Sequence, residues 1–363
     1  MTGLSFLPLS IPSPPPEWQI PITIPIGQWL HGLIGAIPAD QVIQIHTYAL
    51  CILAGIIAST IWVNARLKSR GVESGVVLDV IIWAVPLGLV GARAYHVLTH
   101  PGDYFFEGAD PWEVVRIWNG GNAIFGSLIG GAFGAWIGCR FAGIRFWTFA
   151  DALAPAMLLA QAMGRLGNYF NQELFGQPTD LPWGLEITDP QTPIPVGLPE
   201  GTLFHPTFLY EIIWNLAGIA ILLFLERAWR LEKRTFFGVT VPFFPVGAAV
   251  PRLQWGKVWA LYMIWYGIGR AWFESIRVDP SEIFFGIRTN VWGAFAAIVL
   301  GIVLFIAQRR RHPGIEPSAY VPGREWNPDG AVDSGETYSD TDEPGDDAEN
   351  TEKLATSGAG SKP

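Results

Sequence analysis

Residues 43–70 read IQIHTYALCILAGIIASTIWVNARLKSR, an apolar run that ends in closely spaced basic residues. A helix needs about 20 mostly apolar residues to cross the hydrocarbon layer of a membrane, and residues 43–64 supply them. Arg66, Lys68 and Arg70 follow directly, and positive charge of this kind gathers on the cytoplasmic side of membrane helices. The stretch therefore predicts a transmembrane helix that ends in the cytoplasm.

The composition of the whole chain agrees with a membrane protein. Hydrophobic residues make up 50% of the chain and charged residues only 15%, and the mean hydropathy is +0.29. The 2 cysteines, Cys51 and Cys139, both lie within apolar runs. Two such residues cannot build a disulfide framework or a four-ligand zinc site. We therefore expect buried, unreactive thiols, no metal, no cofactor and no nucleic-acid partner.

Six further stretches have the length and apolar character of a membrane helix, namely residues 76–98, 122–141, 147–168, 206–226, 256–275 and 289–308. Basic residues follow the first, third, fifth and seventh of the seven stretches, whereas the other connections are acidic or rich in proline. This alternation is the positive-inside pattern. We predict an all-α integral membrane protein with seven transmembrane helices, an extracytoplasmic N-terminus and a cytoplasmic C-terminus.

The two ends of the chain differ from this seven-span body, which covers residues 43–312. Residues 1–42 are predicted to be extracytoplasmic: they are too rich in proline for a cleaved signal sequence, and their segment IGQWLHGLIGAI suits the outer membrane interface. Residues 313–363 are rich in Gly, Ser, Asp and Glu, which predicts a disordered acidic tail in the cytoplasm. This acidic end supplies most of the net charge of −9.

Polar side chains within apolar stretches are costly and often mark function. In GRLGNYFNQELFGQP (164–178), Arg165, Asn168 and Gln172 would share one helical face, since they lie within about 60° of one another. Such a face serves either a ligand or a contact between helices. Arg93 in the second stretch has similar alternatives, as a functional cation or as a hydrogen-bonding group near the membrane surface.

Two later segments add further polar groups. FHPTFLYE begins at residue 204, with His205 at the predicted start of a helix and Glu211 one to two turns deeper. A histidine at this position is either a helix-terminal contact or a functional group. YGIGRAWFESIR begins at residue 266 and places four side chains on one narrow helical face, those of Tyr266, Arg270, Glu274 and Arg277. Arg270 and Glu274, four residues apart, form either a structural ion pair or an oriented cation.

Arg165, Arg270 and Arg277 are therefore predicted to face one cavity that holds more positive than negative charge. The planar guanidinium group suits phosphate because it binds two oxygens at once. The abundant anion of a bilayer is a phospholipid head group. The residues alone thus indicate a membrane protein that binds an anionic lipid, as an enzyme, a transporter or flippase, or a scaffold. Transporters usually carry an internal repeat, and we find none.

The order of these segments resembles one known family. HTYALCILAG, GARAYHVL, IWNGGNAIFGSLIGG, GRLGNYFNQELFG, HPTFLYE and YGIGRAWFESIR, between residues 43 and 308, are similar to prolipoprotein diacylglyceryl transferases. These enzymes move the diacylglyceryl group of phosphatidylglycerol onto the lipobox cysteine thiol of a preprolipoprotein and release glycerol 1-phosphate. The resemblance implies the first step of lipoprotein maturation, in a multi-pass protein of the bacterial cell membrane. It implies phosphatidylglycerol, the preprolipoprotein signal peptide and membrane lipids as partners.

The resemblance also implies roles for individual residues. It gives catalytic roles to Arg165, Arg270 and Glu274, with the two arginines on the lipid phosphate. It gives roles in substrate binding to Tyr48, Arg93, Asn168, Asn171, Glu173, Gly176 and Tyr266. The nucleophile belongs to the substrate peptide, so neither cysteine of this chain needs to react.

One position departs from the family pattern. Many members carry a histidine, proposed as the base, where this chain has Phe125 in WNGGNAIFGS, and phenylalanine cannot accept a proton. His205 and Glu211 are the nearby alternatives, and their spacing does not choose between them; we include His205 among the candidate catalytic residues. A third alternative needs no base, because a positively charged site itself favours the thiolate.

Overall fold

The structure is a computed structural model of the 363-residue chain. It describes residues 10–18, 21–25, 43–117, 120–190, 192–195, 197–228, 232–236, 239–243, 253–279, 281 and 283–326. Long α-helices dominate these ranges: α1 (Thr47–Lys68), α2 (Val76–Thr99), α3 (Ile124–Phe141), α4 (Phe146–Phe170), α5 (Thr207–Ala228), α6 (Lys257–Ile276) and α7 (Thr289–Arg311). Each of the predicted apolar stretches corresponds to one of these helices, with ends that agree to within a few residues.

Five of these helices, α1, α2, α3, α5 and α7, are long and apolar enough to cross a membrane. The other two, α4 and α6, have 25 and 20 residues. They also carry polar groups that lower their hydropathy, among them Asp151, Gln161 and Arg165 in α4, and Lys257, Arg270 and Glu274 in α6. The chain is thus a mostly helical membrane protein.

Short antiparallel ribbons join or flank the helices, so the predicted all-α class is wrong in this detail. The described pairs are β1 (Ile22–Ile24) with β2 (Ile43–Ile45), β3 (Glu232–Phe236) with β4 (Val239–Phe243), and β5 (Ile283–Phe284) with β6 (Ile287–Arg288). In the last pair, Phe285 and Gly286 form the turn with φ of 51° and 74°. Positive φ at both turn residues suits the right-handed twist of a two-residue hairpin. Strands of two to five residues are too short for a periodic signal in the sequence.

Small residues let α2 and α3 pack backbone against backbone. A Cβ atom at Gly91 of α2 would overlap the carbonyl oxygen of Gly126 in α3, and one at Gly130 would overlap that of Leu87. Glycine at such positions allows the close helix approach that is common between membrane helices. This pair fixes the position at which α3 begins, beside the cavity described below.

A buried polar network joins the helices at the end of the bundle where the basic connections lie. Arg66 and Arg70 both pair with Glu226 of α5, at 3.0 and 2.6 Å. Asp151 of α4 is fully buried and accepts a hydrogen bond from the backbone N–H of Trp259, at 3.0 Å, at the start of α6. The two arginines and Glu226 compensate one another's charge, since a buried charge without a partner is strongly destabilising.

Residues 313–325 pack on this same end, so the prediction of a disordered tail from residue 313 is wrong for this segment. Tyr320 is buried, and its hydroxyl accepts a hydrogen bond from the backbone N–H of Glu73 at 2.9 Å. The Glu316 carboxylate accepts from the backbone N–H of Trp255 at 2.9 Å. The Tyr320 ring and the Glu316 carboxylate thus order this segment through contacts with the body, although its composition predicts disorder.

The rest of the predicted tail, residues 327–363, lies outside the described residues. At the other end of the chain, residues 10–18 contact a loop of the body: the backbone N–H of Ile11 donates to the Gly184 carbonyl at 2.8 Å. The predicted interfacial segment IGQWLHGLIGAI also lies outside the described residues.

Removing residues 313–325 should destabilise the protein. We expect a chain that ends at residue 312 to unfold about 5 °C or more below the full-length protein, since it loses buried Tyr320 and the hydrogen bonds of Glu316. Thermal unfolding in detergent measures this effect. A chain that ends at residue 325 keeps these contacts and is the control. Equal midpoints for both truncations would contradict a stabilising role for the segment.

Candidate active site

A cavity of about 380 Å³ lies between α1, α4, α5 and α6. Its volume is at the small end of the range for ligand pockets and suits a polar head group. Its polar and aromatic lining consists of Tyr48, Gln161, Arg165, Asn168, Glu211, Trp214, Asn215, Tyr266 and Arg270. The apolar lining includes Ile52, Ile124, Leu174 and Phe273.

Helical spacing brings these side chains together from distant parts of the chain. Arg165 and Asn168 lie one turn apart near the C-terminal end of α4, and Tyr266 and Arg270 are similarly spaced in α6. Glu211 lies in the second turn of α5. Residues one turn apart project from the same helix face, so each helix presents a compact polar patch to the cavity.

Arg165 is held by partners from two helices. Its Nη2 lies 2.7 Å from Oε2 of Glu211, and its Nη1 donates to Oδ1 of Asn168 at 3.0 Å. The Asn168 amide in turn donates to Oε1 of Glu173 at 2.8 Å, and Asn171 approaches the same oxygen at 3.4 Å. These contacts fix the plane of the guanidinium group before any ligand binds.

Arg270 is held from behind by Glu274, whose side chain is fully buried. Arg270 Nη2 lies 3.0 Å from Oε2 of Glu274. The other carboxylate oxygen, Oε1, accepts a hydrogen bond from Asn290 at 3.0 Å and lies 3.4 Å from Arg288. Glu274 therefore joins α6 to the beginning of α7 as well as orienting Arg270.

Arg277 does not line the cavity, although the helical projection places it there. Helix α6 ends at Ile276, and Arg277 has an extended backbone. Its guanidinium binds Asp279 through Nε at 2.6 Å and Nη2 at 2.9 Å. Burial raises the pKa of the Asp279 carboxyl, but the hydrogen bonds and charge of Arg277 outweigh burial and leave that pKa below its ordinary value.

Each of the two arginines that line the cavity is paired with a carboxylate, but of these two carboxylates only that of Glu211 lines the cavity itself. Arg165 and Arg270 supply two positive charges, and their partners Glu211 and Glu274 supply two negative charges. Without Arg277, the described charged side chains that line the cavity are two arginines and one glutamate, which leaves an excess of one positive charge, and Glu274 offsets that charge from its buried position beside Arg270. An anion bound here would have to share each guanidinium group with a carboxylate.

Gln172 also points away from the predicted face. The α4 helix has ended by this residue, whose φ is 48°. Its side-chain carbonyl accepts hydrogen bonds from the backbone N–H groups of Thr188 and Asp189, at 2.7 and 3.1 Å. Gln172 therefore holds the loop after α4, and of the two residues predicted to share a face with Arg165 only Asn168 does so.

The structure does not bring His205 into the cavity. Its Nδ1 lies 3.1 Å from the hydroxyl of Tyr210, which also accepts from Trp183. The His205 backbone carbonyl accepts from the N–H of Gly176 at 2.9 Å, and a Cβ at Gly176 would lie 2.7 Å from the His205 Cβ. His205 and Gly176 thus form a close chain crossing beside the site.

Arg93 is likewise buried outside the cavity. Its Nε donates to the carbonyl of Val114 at 2.9 Å, Nη1 donates to that of Gly121 at 3.2 Å, and its guanidinium lies 4.7 Å from the ring centre of Tyr104. Arg93 fixes the connection between α2 and α3. Ile124, in the first turn of α3 after this connection, lines the cavity.

Tyr48, in the first turn of α1, lines the cavity because Gly167 of α4 leaves room for its ring. A Cβ at Gly167 would overlap this ring, whereas one at Gly164 would meet nothing within 4 Å.

We expect Gly167→Ala to lower the thermal unfolding midpoint and Gly164→Ala to leave it equal or raise it, since alanine favours helix. Equal midpoints in detergent for Gly167→Ala and the unchanged chain would contradict this packing.

The sequence analysis missed two polar residues of the cavity. Gln161 lies one helical turn before Arg165, and Asn215 lies one turn after Glu211. Extending the faces of α4 and α5 by four residues would have found both. Gln161 donates a hydrogen bond to the hydroxyl of Tyr262 at 2.9 Å.

Comparison with known proteins follows the same region of the chain. A family profile for prolipoprotein diacylglyceryl transferase matches residues 36–307. A phosphatidylglycerol–prolipoprotein diacylglyceryl transferase of Leifsonia xyli is 55% identical, over 90% of this chain and 90% of that protein. Relatives with this name from Streptomyces coelicolor, where it is numbered 2, and Bifidobacterium adolescentis are each 42% identical over 77% and 73% of this chain, and over 81% and 75% of their own lengths. The matched residues include every side chain that lines the cavity, and this chain belongs to the prolipoprotein diacylglyceryl transferase family.

Proposed function

We propose that this chain transfers the diacylglyceryl group of phosphatidylglycerol to the lipobox cysteine thiol of a preprolipoprotein and releases glycerol 1-phosphate. One observation carries the proposal: Arg165 and Arg270 line the same cavity, and each is held by a carboxylate. The names of the relatives support these substrates. The partners are phosphatidylglycerol, the signal peptide with its lipobox cysteine, and the lipids of the bacterial cell membrane.

The two arginines bind the phosphate of the lipid. As the bond between the glyceryl carbon and the phosphate oxygen breaks, negative charge grows on the leaving phosphate. Guanidinium groups that already point there stabilise the transition state more than the bound lipid. Glu274 orients Arg270, and Asn168 orients Arg165. The residues Tyr48 and Tyr266 contact the head group, with Asn171 and Glu173 supporting Asn168.

The cavity lies at the extracytoplasmic side in this proposal. All seven helices cross the membrane, with the N-terminus outside and the C-terminus in the cytoplasm. Tyr48 begins α1, Arg165 lies near the end of α4, and Glu211 is close to the start of α5, so all three are at the end opposite the basic connections. Positive charge marks the cytoplasmic end of the helices. The cavity is therefore at the extracytoplasmic end, which exported peptides reach.

Thioether formation tests the proposal directly. Purified protein is incubated in detergent with phosphatidylglycerol and a lipobox peptide, and the peptide mass is measured. We expect a gain of one diacylglyceryl group with the intact chain and none with Arg270→Ala. Movement of labelled lipid across vesicle membranes without any gain in peptide mass would instead support an anionic-lipid flippase.

A further inference from the structure

The transfer reaction must remove the proton of the substrate thiol, because the thiolate rather than the thiol attacks carbon. Phe125 occupies the position at which other members of the family carry a histidine. Its ring lies beside Tyr95, with centroids 6.3 Å apart, and a Cβ at Gly293 would lie 3.1 Å from it. Phe125 therefore packs among α2, α3 and α7, while its neighbour Ile124 lines the cavity.

Among the described residues that line the cavity, Glu211 is the one with a carboxylate side chain. The other ionisable side chains there are two arginines, which have no lone pair to accept a proton, and two tyrosines, whose hydroxyl groups are far weaker bases than a carboxylate. Glu274 is fully buried behind Arg270 and does not line the cavity. His205, the other candidate, is held beside Tyr210 outside it.

The two carboxylate oxygens of Glu211 have different surroundings. Oε2 lies 2.7 Å from Nη2 of Arg165. Oε1 is buried and accepts no hydrogen bond from the described residues. A buried oxygen without a donor costs free energy, and such a group in a cavity calls for a donor from a ligand.

We propose that Glu211 accepts the proton of the substrate thiol on Oε1 during the transfer reaction proposed above, on which this inference rests. The S–H bond breaks, and the sulfur attacks the glyceryl carbon that bears the phosphate oxygen. The C–S bond forms as the C–O bond breaks, and the electron pair of the C–O bond leaves on the oxygen of glycerol 1-phosphate. The phosphate monoester or water then takes the proton from Glu211 and restores the carboxylate.

The ion pair with Arg165 couples this proton transfer to departure of the phosphate. While Glu211 is charged, it shares the guanidinium group of Arg165 with the lipid phosphate. Once Glu211 is protonated, Arg165 loses its anionic partner and acts fully on the phosphate, whose charge is then increasing. Protonation of Glu211 thus increases the net positive charge of the cavity during the reaction, when that charge stabilises the transition state.

A pair of peptides separates a proton acceptor from a residue that only positions Arg165. One lipobox peptide carries cysteine and the other carries selenocysteine, whose selenol ionises at neutral pH without a base. We expect Glu211→Gln to lower the transfer rate by about 100-fold or more with the cysteine peptide and by less than about 10-fold with the selenocysteine peptide. Arg165→Ala should lower both rates strongly, because it removes the phosphate contact.

Equal loss with both peptides, or a normal rate of Glu211→Gln with the cysteine peptide, would overturn the inference. If Glu211→Gln fails to fold in detergent, Glu211→Asp replaces it: the shorter carboxylate should slow the cysteine peptide more than the selenocysteine peptide, and equal slowing would overturn the inference. Failure of the proposed function is distinct, because the unchanged protein would then modify neither peptide.

Discussion

Replacing Arg270 with lysine should lower the rate of diacylglyceryl transfer by about 100-fold or more, although the positive charge is kept. An ammonium group is a single point charge and cannot bind Glu274 and a phosphate oxygen through separate nitrogens of one rigid plane. The Nη2 of Arg270 already lies 3.0 Å from Oε2 of Glu274, which leaves the rest of the guanidinium group for the cavity. Arg165→Lys should behave similarly, since Arg165 holds Glu211 and Asn168 at the same time.

The measurement is the rate of mass gain of a lipobox peptide at saturating phosphatidylglycerol. Arg310→Lys, at the exposed basic end of α7, is the matched control and should retain the full rate. Unfolding midpoints of all variants should be compared, because a rate lost through misfolding has no bearing on the phosphate contact. Near-normal rates for both Arg165→Lys and Arg270→Lys would contradict the proposal that these two arginines bind the lipid phosphate.

The helices were predictable because the membrane imposes a length. An apolar run of about 20 residues has few other uses, and Arg66, Lys68 and Arg70 mark where the first run ends. Composition, by contrast, gave the wrong prediction for residues 313–325. There Tyr320 and Glu316 order a segment through contacts with parts of the body that are distant in sequence, and composition carries no information about such contacts.

The site was predictable in part, because helical spacing relates residues only while a helix continues. Arg165 with Asn168, and Arg270 with Glu274, lie within α4 and α6 and project as expected. Arg277 lies one residue beyond the end of α6, where no glycine or proline signals the end. Gln172 fails for the same reason, beyond the end of α4.

The partner of Arg165 was not predictable, because it comes from a different helix. Glu211 meets Arg165 across the contact between α5 and α4, 46 positions apart in the chain. Spacing within one helix cannot show such a pair. The sequence therefore predicted the pair of Arg270 with Glu274, which lie four residues apart in one helix, but not the pair of Arg165 with Glu211.

Replacing Glu274 with glutamine should both destabilise the protein and stop the reaction. The amide keeps the shape of the side chain but removes the one charge that faces Arg270, Arg277 and Arg288, at 3.0, 3.6 and 3.4 Å. Breaking a buried ion pair by removing one partner costs about 3–5 kcal/mol, because the remaining charge is left without compensation. We expect a lower unfolding midpoint in detergent and a loss of transfer, since Arg270 is no longer oriented.

Asp279→Asn separates these two effects. Asp279 neutralises Arg277 outside the cavity through a bidentate contact. The loss of this carboxylate therefore also leaves a guanidinium group without its charged partner. Arg270 and its contact with Glu274 are untouched. Asp279→Asn should therefore lower the unfolding midpoint yet retain most of the transfer rate below that midpoint. If Asp279→Asn loses the reaction as fully as Glu274→Gln does, Glu274 acts through the stability of this end of α6, and its proposed role in orienting Arg270 is wrong.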